Sequence, residues 1–239
     1  MEYLYCKDDN FEDFASGRVL YGGKGIPNFP VRLLNEIYGR TVSYLESKKD
    51  LVIYDPCCGG GYALTVLGFS HNRDIRKMYG SDIDEGMIAH AKKNAGLLTA
   101  SGLKSRRNEI ERLYKEFGKP SHGEALSSCD KLKCLLNQEI PVEIFKADCT
   151  ESLPKIAPDI IITDVPYGNL VDWKNEAQIS IDSMLERLWL ISHEQTILAI
   201  CMDKKQKYHC GKWKRLEKHT IGKRRFEILR RSESFGAGK

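Results

Sequence analysis

The sequence predicts an α/β fold on a seven-stranded, mostly parallel sheet with an antiparallel C-terminal strand, on the strength of three observations. Short apolar runs of strand character alternate with stretches of helical period, the pattern of repeated βα units. The run LVIYD (51–55) ends in an acid and passes into three consecutive glycines and a helix. The last segment reads as two strands joined at Ile221–Gly222–Lys223, a connection so short that the pair must be antiparallel.

Taken in order, the elements follow from the same patterns. After an irregular start, FPVRLLNEIYGRTVSYLESK puts Val31, Leu34, Tyr38, Val42 and Leu45 on one helical face. LVIYD is a buried strand, and YALTVLGF continues beyond the glycines as a helix. KMYGSD (77–82) is the second strand, and Asp84 is placed to cap a helix whose Ile88, Ala91, Ala95 and Leu98 share a face. Residues 101–141 are far too long for an ordinary connection and read as a helical insertion. Leu103, Ile110, Leu113 and Phe117 mark its first helix, and GKP (118–120) breaks it. SHGE (121–124) has capping-box spacing for a second helix carrying Ala125, Cys129, Leu132 and Leu136. Structural decoration and substrate gripping are both open for this insert. VEIFKAD (142–148), DIIITD (159–164) and TILAICM (196–202) are three more strands, with a helix bearing Ile181, Leu185, Leu188 and Ile191 before the last. A basic hairpin at about 212–231 follows, and the closing SFGAGK reads as a disordered tail. All of this fits a single domain over 1–239.

Composition narrows the class. With 41% hydrophobic and 29% charged residues the chain reads as soluble and globular. MEYLYCKDDNFEDF has no signal-peptide pattern and runs such as TILAICM are too short to span a bilayer, so a cytoplasmic protein without a membrane partner is expected. None of the eight cysteines forms C-x-x-C or a zinc-finger spacing, so neither a metal nor a disulfide framework is expected. Charge is uneven: residues 203–233 hold twelve Lys and Arg against four Asp and Glu, while the whole chain carries only +4. Such a segment is either a grip on a phosphate backbone or a solvated surface.

The glycine turn carries the first chemical signal. Glycines let a ligand lie against bare backbone, and the following helix N-terminus offers free N–H groups. No Lys-Ser/Thr follows, which excludes a P-loop, and GGGYAL lacks the third glycine of G-x-G-x-x-G. Asp55 precedes the turn and would repel a pyrophosphate; it suits a cationic or zwitterionic ligand such as the amino group of S-adenosylmethionine. SDID supplies Asp82 at the end of the second strand, where a carboxylate accepts ribose hydroxyls. KADC supplies Asp148 at the end of the third, near where an adenine amino group would lie. Cys57 and Cys58 are small residues beside the ligand whose thiols need do no chemistry.

TDVPYG (163–168) ends the fourth strand. Asp164 can accept an N–H from a flat, nitrogen-bearing ring and assist loss of its proton, the Val165 carbonyl can accept another, and Tyr167 can stack on the ring face.

DPCCGGGY, SDID, KADC and TDVPYG fall in the order and spacing of class I S-adenosylmethionine-dependent methyltransferases, a Rossmann-like family. TDVPYG resembles the Asp/Asn-Pro-Pro-Tyr motif of members that methylate base nitrogens, with Val165 in place of the first proline. GIPNFPVRLLNEI (25–37), DPCCGGGYALTVLG (55–68), EFGKPSH (116–122) and TDVPYG together resemble the avilamycin-resistance 23S rRNA methyltransferases, which act on guanine N1. The resemblance spans nearly the whole chain and weakens around 203–215. It implies S-adenosyl-L-methionine as cofactor, 23S rRNA or the large ribosomal subunit as partner, and antibiotic resistance as a role. It implies cofactor contacts from Asp55, Cys57, Gly59, Gly61, Asp82 and Asp148, and a base pocket of Asp164, Pro166 and Tyr167. Arg106, Arg107 and Lys115 of the insert, and Lys214, Arg215, Lys223, Arg224 and Arg225 with Trp213 and Phe226, would grip RNA. Arg32 would steer a phosphate, touch the donor or form a surface ion pair. No metal is needed, and a monomer is expected. The rival readings are guanine N2 methylation of rRNA or tRNA, an NAD(P)-dependent oxidoreductase, and a non-catalytic RNA-binding protein of the same fold.

Overall fold

β1 (Leu51–Asp55) is buried along its whole length, as a strand covered on both faces must be. Around it the computed structural model describes residues 1–23, 29–165, 177–209 and 211–232, with only the backbone of 177–180. β2 (Ile75–Asp82), β3 (Val142–Lys146), β4 (Ile160–Asp164), β5 (Ile197–Asp203), β6 (Trp213–Ile221) and β7 (Arg224–Arg231) complete one sheet in the order β3-β2-β1-β4-β5-β7-β6. Neighbours from β3 through β5 are parallel, and β7 is antiparallel to both β5 and β6. The predicted mostly parallel sheet with its antiparallel strand is therefore observed, and the two-residue turn at Gly222 and Lys223 enforces the final pair.

One face carries α1 (Val31–Ser43), α2 (Tyr62–Ser70) and α3 (Glu85–Gly96), whose buried side chains join those of Ile53, Ile160, Ile162 and Cys201 in one core. The other face carries α6 (Ala177–Ile191), which packs Ile181, Leu185, Leu188 and Ile191 with Tyr54, Ile161 and Ile200. Each of those apolar side chains contributes about 1.5–3 kcal/mol by leaving water. Asp84 caps α3 as expected, accepting the Met87 N–H at 2.9 Å.

Several boundaries differ from expectation. β2 starts at Ile75 rather than at residue 77, because the exposed Arg76 interrupts the apolar run without ending the ladder. β3 stops at Lys146, so Asp148 lies in the following loop and not at a strand end. The insertion consists of α4 (Ala100–Phe117) and α5 (Pro120–Leu135). The expected capping box does not form: Lys119 is the N-cap and Pro120, whose fixed φ suits the first turn, already opens α5. Phe117 does not extend the apolar face of α4 but is 55% exposed, at the last residue before the left-handed Gly118 that ends the helix. The expected tail, SFGAGK, lies outside the described residues.

The inner side of the insertion is fastened to the N-terminal segment. Ser128 and Lys131 bond Asp13, and Arg18 pairs with Glu124 at 2.7 Å. That segment in turn reaches the glycine turn: Asn94 accepts from the Tyr21 N–H at 2.8 Å and donates to the Gly60 carbonyl at 2.9 Å.

Candidate active site

Strand order reverses between β1 and β4, which opens a crevice at their C-terminal ends. Asp55 closes β1 and Asp164 closes β4, so these two carboxylates flank the crevice. Asp55 is 4% exposed, and its Oδ1 accepts the Cys57 N–H at 3.1 Å. Burial pushes its carboxyl up to about 7, against the pull of that N–H.

The turn between β1 and α2 is held by backbone and by the side chains of Asp55, Asp82 and Asn94. Cys58 N donates to the Ser81 carbonyl at 2.9 Å, and Gly59 N donates to Asp82 Oδ2 at 2.9 Å. Asp82 Oδ1 accepts the Asp84 N–H at 3.0 Å, so the carboxylate braces two turns and retains further lone pairs on each oxygen. Gly61 has φ +73°, and a Cβ there would meet Ala91 Cα of α3 at 2.9 Å, so only glycine fits both the conformation and the helix contact. Gly59 has φ +50° with nothing within 4 Å of a Cβ position: its bare face looks onto open space.

The cysteines flank this turn. Cys57 Sγ lies 3.6 Å from Cys149 Sγ, and its thiol is held well above the usual range by that partner and by burial. Burial likewise raises the Cys58 thiol. Neither is a thiolate, in keeping with small filler residues. Asp148 Oδ1 accepts from both the N–H and the hydroxyl of Thr150, at 2.9 and 2.6 Å, and so shapes its own loop.

At the end of β4, Asp164 Oδ1 is buried and has no hydrogen-bond partner among the described residues. Its Oδ2 is 3.5 Å from Arg224 Nη2. Burial pushes the carboxyl up to about 6, and the guanidinium pulls it back. Pro166 and Tyr167 lie outside the described residues.

Two residues beside the crevice were missed by pattern reading. Ile83, directly after Asp82, is 52% exposed, an apolar face beside a polar crevice; its signal is an isoleucine between two turn-forming acids in SDID. Phe29 lies beneath the Arg224 guanidinium, 5.3 Å from ring centroid to Cζ. Nothing in the sequence distinguishes it from an ordinary core phenylalanine.

A family profile described as rRNA methyltransferase AviRa matches residues 1–224. The chain belongs to the AviRa family of rRNA methyltransferases. It is 34% identical over 236 residues to the 23S rRNA (guanine(2535)-N(1))-methyltransferase of Streptomyces viridochromogenes, covering 95% of this chain and 94% of that protein. A solved structure of the AviRa rRNA methyltransferase from the same organism superposes with a TM-score of 0.86 at 32% identity, over 94% of each chain. TrmN from Thermus thermophilus shares the fold alone, with a TM-score of 0.55 and 13% identity over 85% of this chain and 49% of its own. The class I methyltransferase architecture expected from the sequence is thus borne out.

In this AviRa-family chain the basic residues divide sharply. Arg106 does not face solvent: Nε donates to the Val19 carbonyl at 2.9 Å, Nη1 pairs with Glu109, and the guanidinium stacks on Tyr21. Arg225 is buried too, ion-paired with Glu227 and bonded to Met202 Sδ and the carbonyls of Lys204 and Gln206. Both are structural, because helix and strand periodicity turned them inward. Trp213 and Phe226 are core residues, with Trp213 Nε1 donating to the Leu185 carbonyl. Arg32 forms the surface ion pair, 3.0 Å from Asp8. Arg107 pairs with Asp130 and Glu111, Lys115 with Glu111, and Arg215 with Glu227. Lys214 and Lys223 stand exposed on the hairpin. Among the described residues no cluster could hold a metal ion, and no helix is long and apolar enough to cross a membrane.

Proposed function

We propose that this chain methylates N1 of a guanine in 23S rRNA, with S-adenosylmethionine as donor, and that the modification confers resistance to an avilamycin-type antibiotic. The observation that carries this reading is the 34% identity, over 95% of the chain, to a guanine-N1 methyltransferase of 23S rRNA. Geometry supports it. The buried Asp55 suits an organic cation, the open face of Gly59 admits a ligand against backbone, and Asp82 keeps lone pairs for ribose hydroxyls. Ile83 offers an apolar face to a purine, and Cys57, Gly61 and Asp148 shape the walls.

When bound, the cofactor supplies an electrophilic methyl group; the residues of the chain then have to hold the base and manage one proton. Asp164 accepts hydrogen bonds from the guanine edge through Oδ1 and takes the N1 proton; Pro166 and Tyr167, outside the described residues, are assigned to the base from the TDVPYG motif alone. Most of the rate gain is positioning, with nitrogen held in line by the crevice walls. Arg107, Lys115, Lys214, Arg215 and Lys223 meet RNA phosphates, and a base inside a helix must be flipped out at a cost of a few kcal/mol that those contacts offset. Such an enzyme works in the cytoplasm, where its RNA is.

The test is nucleoside mass spectrometry of 23S rRNA treated with the protein and labelled cofactor, alongside drug tolerance of a host expressing it. 1-Methylguanosine is expected; N2-methylguanosine or a methylated adenine would overturn the assignment.

Asp55 sets a pH dependence. Because burial raises its carboxyl to about 7, a cationic ligand must displace a proton at lower pH. Affinity for S-adenosylhomocysteine, which retains the ammonium group, should rise between pH 6 and 8 and flatten in Asp55→Asn. Calorimetry at pH 6 in two buffers of different ionisation enthalpy should reveal proton release, and its absence would count against the contact.

A further inference from the structure

We propose that Arg224 is the positioning residue of the base site: from the start of β7 it reaches across β5 to Asp164 and holds that carboxylate ionised, with one oxygen engaged and the other left for the base. The inference rests on the reading of Asp164 as the base-facing acid. It does not follow from that reading, and it corrects the expectation from the sequence that Arg224 grips RNA.

The sheet creates the pairing. Because β7 runs antiparallel, its first residue lies at the edge where the parallel strands end. Asp164 is level with Cys201, Cys201 with Phe226, and Asp203 with Arg224. Alternation along β7 puts Arg224 on the same face as Phe226, one step further toward the crevice. From there Nη2 reaches 3.5 Å from Asp164 Oδ2, with the guanidinium over Phe29. The backbone beneath is clamped: Lys204 N donates to the Lys223 carbonyl at 2.9 Å, and Arg225 on the opposite face grips the Lys204 and Gln206 carbonyls.

The loose geometry matters. A bidentate Arg–carboxylate pair would engage both oxygens and make the acid a poor proton acceptor. A single contact at 3.5 Å offsets part of the burial cost and leaves Oδ1 buried and without a partner among the described residues. Among those residues, the charged or titratable groups that interact with Asp164 are Asp55 from β1, the Cys201 thiol from β5, and Arg224 from β7. Burial holds the Cys201 thiol well above its usual range, so it stays neutral, and Asp55 repels negative charge. In this set Arg224 is the cation that opposes protonation of Asp164.

The test reads Asp164 directly, by NMR titration of aspartate carboxyl carbons assigned with Asp164→Asn, in the wild type, Arg224→Gln and Arg224→Lys. Arg224→Gln is expected to bind the Asp164 proton roughly tenfold more tightly or more, corresponding to one pKa unit, and Arg224→Lys to recover part of the difference. The acid limb of single-turnover methyl transfer to 23S rRNA should move to higher pH in step, with S-adenosylhomocysteine affinity retained as a check on folding. An Asp164 titration unchanged within about twofold overturns the proposal; if RNA affinity and its salt slope fall at the same time, Arg224 is a phosphate contact instead. Failure of the functional reading looks different: Asp164→Asn would then transfer methyl groups as well as the wild type, whatever the NMR titration shows.

Discussion

Asp164→Asn is expected to lower single-turnover methyl transfer to 23S rRNA by roughly 10²- to 10⁴-fold, the usual contribution of a positioned proton acceptor. The substitution keeps the size of the side chain and one carbonyl oxygen, so the base can still dock, but it removes the charge and the ability to take the N1 proton. S-adenosylhomocysteine affinity should stay within about threefold, because Asp55 and the glycine turn lie across the crevice on β1. The separation of the two effects is the informative result. A loss of less than about fivefold would remove Asp164 from proton transfer and leave it a docking group.

The largest stability effect should come from a residue outside the crevice. Glu36, in the middle of α1, is fully buried and accepts the N–H groups of Leu4, Tyr5 and Cys6 and the Nε of Arg40. Arg40 also bonds Glu217 of β6 at 2.8 Å and the Glu2 carbonyl at 2.7 Å. This network joins the N-terminal strap, α1 and the hairpin that carries Arg224. Glu36→Ala leaves three N–H groups unsatisfied and takes from the buried Arg40 one of its two carboxylate partners, so urea denaturation should show a loss of about 3–5 kcal/mol. Burial alone would raise the Glu36 carboxyl, but the backbone N–H groups and Arg40 hold it below its usual value. A depressed carboxyl contributes stability above its unfolded-state value and loses it as pH falls through the folded one. The wild type should therefore lose stability on acidification below about pH 4, and Glu36→Ala should show a smaller part of that loss. Equal acid sensitivity in the two proteins would place the linkage elsewhere.

Much of the fold was legible because its signals are local. Strand β1, the cap at Asp84, the buried stripe of α6 and the hairpin turn each depend on a few neighbouring residues, and each is where the patterns put it. The start of α5 was read from a Ser-x-x-Glu spacing, yet Pro120 opens the helix earlier because its ring already has the required φ. The basic residues misled for a different reason. Charge is visible in a sequence but direction is not, and Arg106 and Arg225 turned out to face carbonyls and carboxylates inside the protein.

By itself the sequence determined the sheet class, the glycine turn with its preceding acid, and the acidic residue closing the fourth strand. These are consequences of period and spacing, which survive without knowledge of the rest of the chain. Tertiary structure decided which side chains meet. Asp164 and Arg224 are sixty positions apart and belong to strands separated by β5; only the antiparallel insertion of β7 beside β5 brings them to 3.5 Å. Asp82 likewise proved to brace the glycine turn through the Gly59 N–H. Contacts of this kind depend on strand order and face, which no single segment encodes, and they turn a row of acids into a crevice with a held carboxylate.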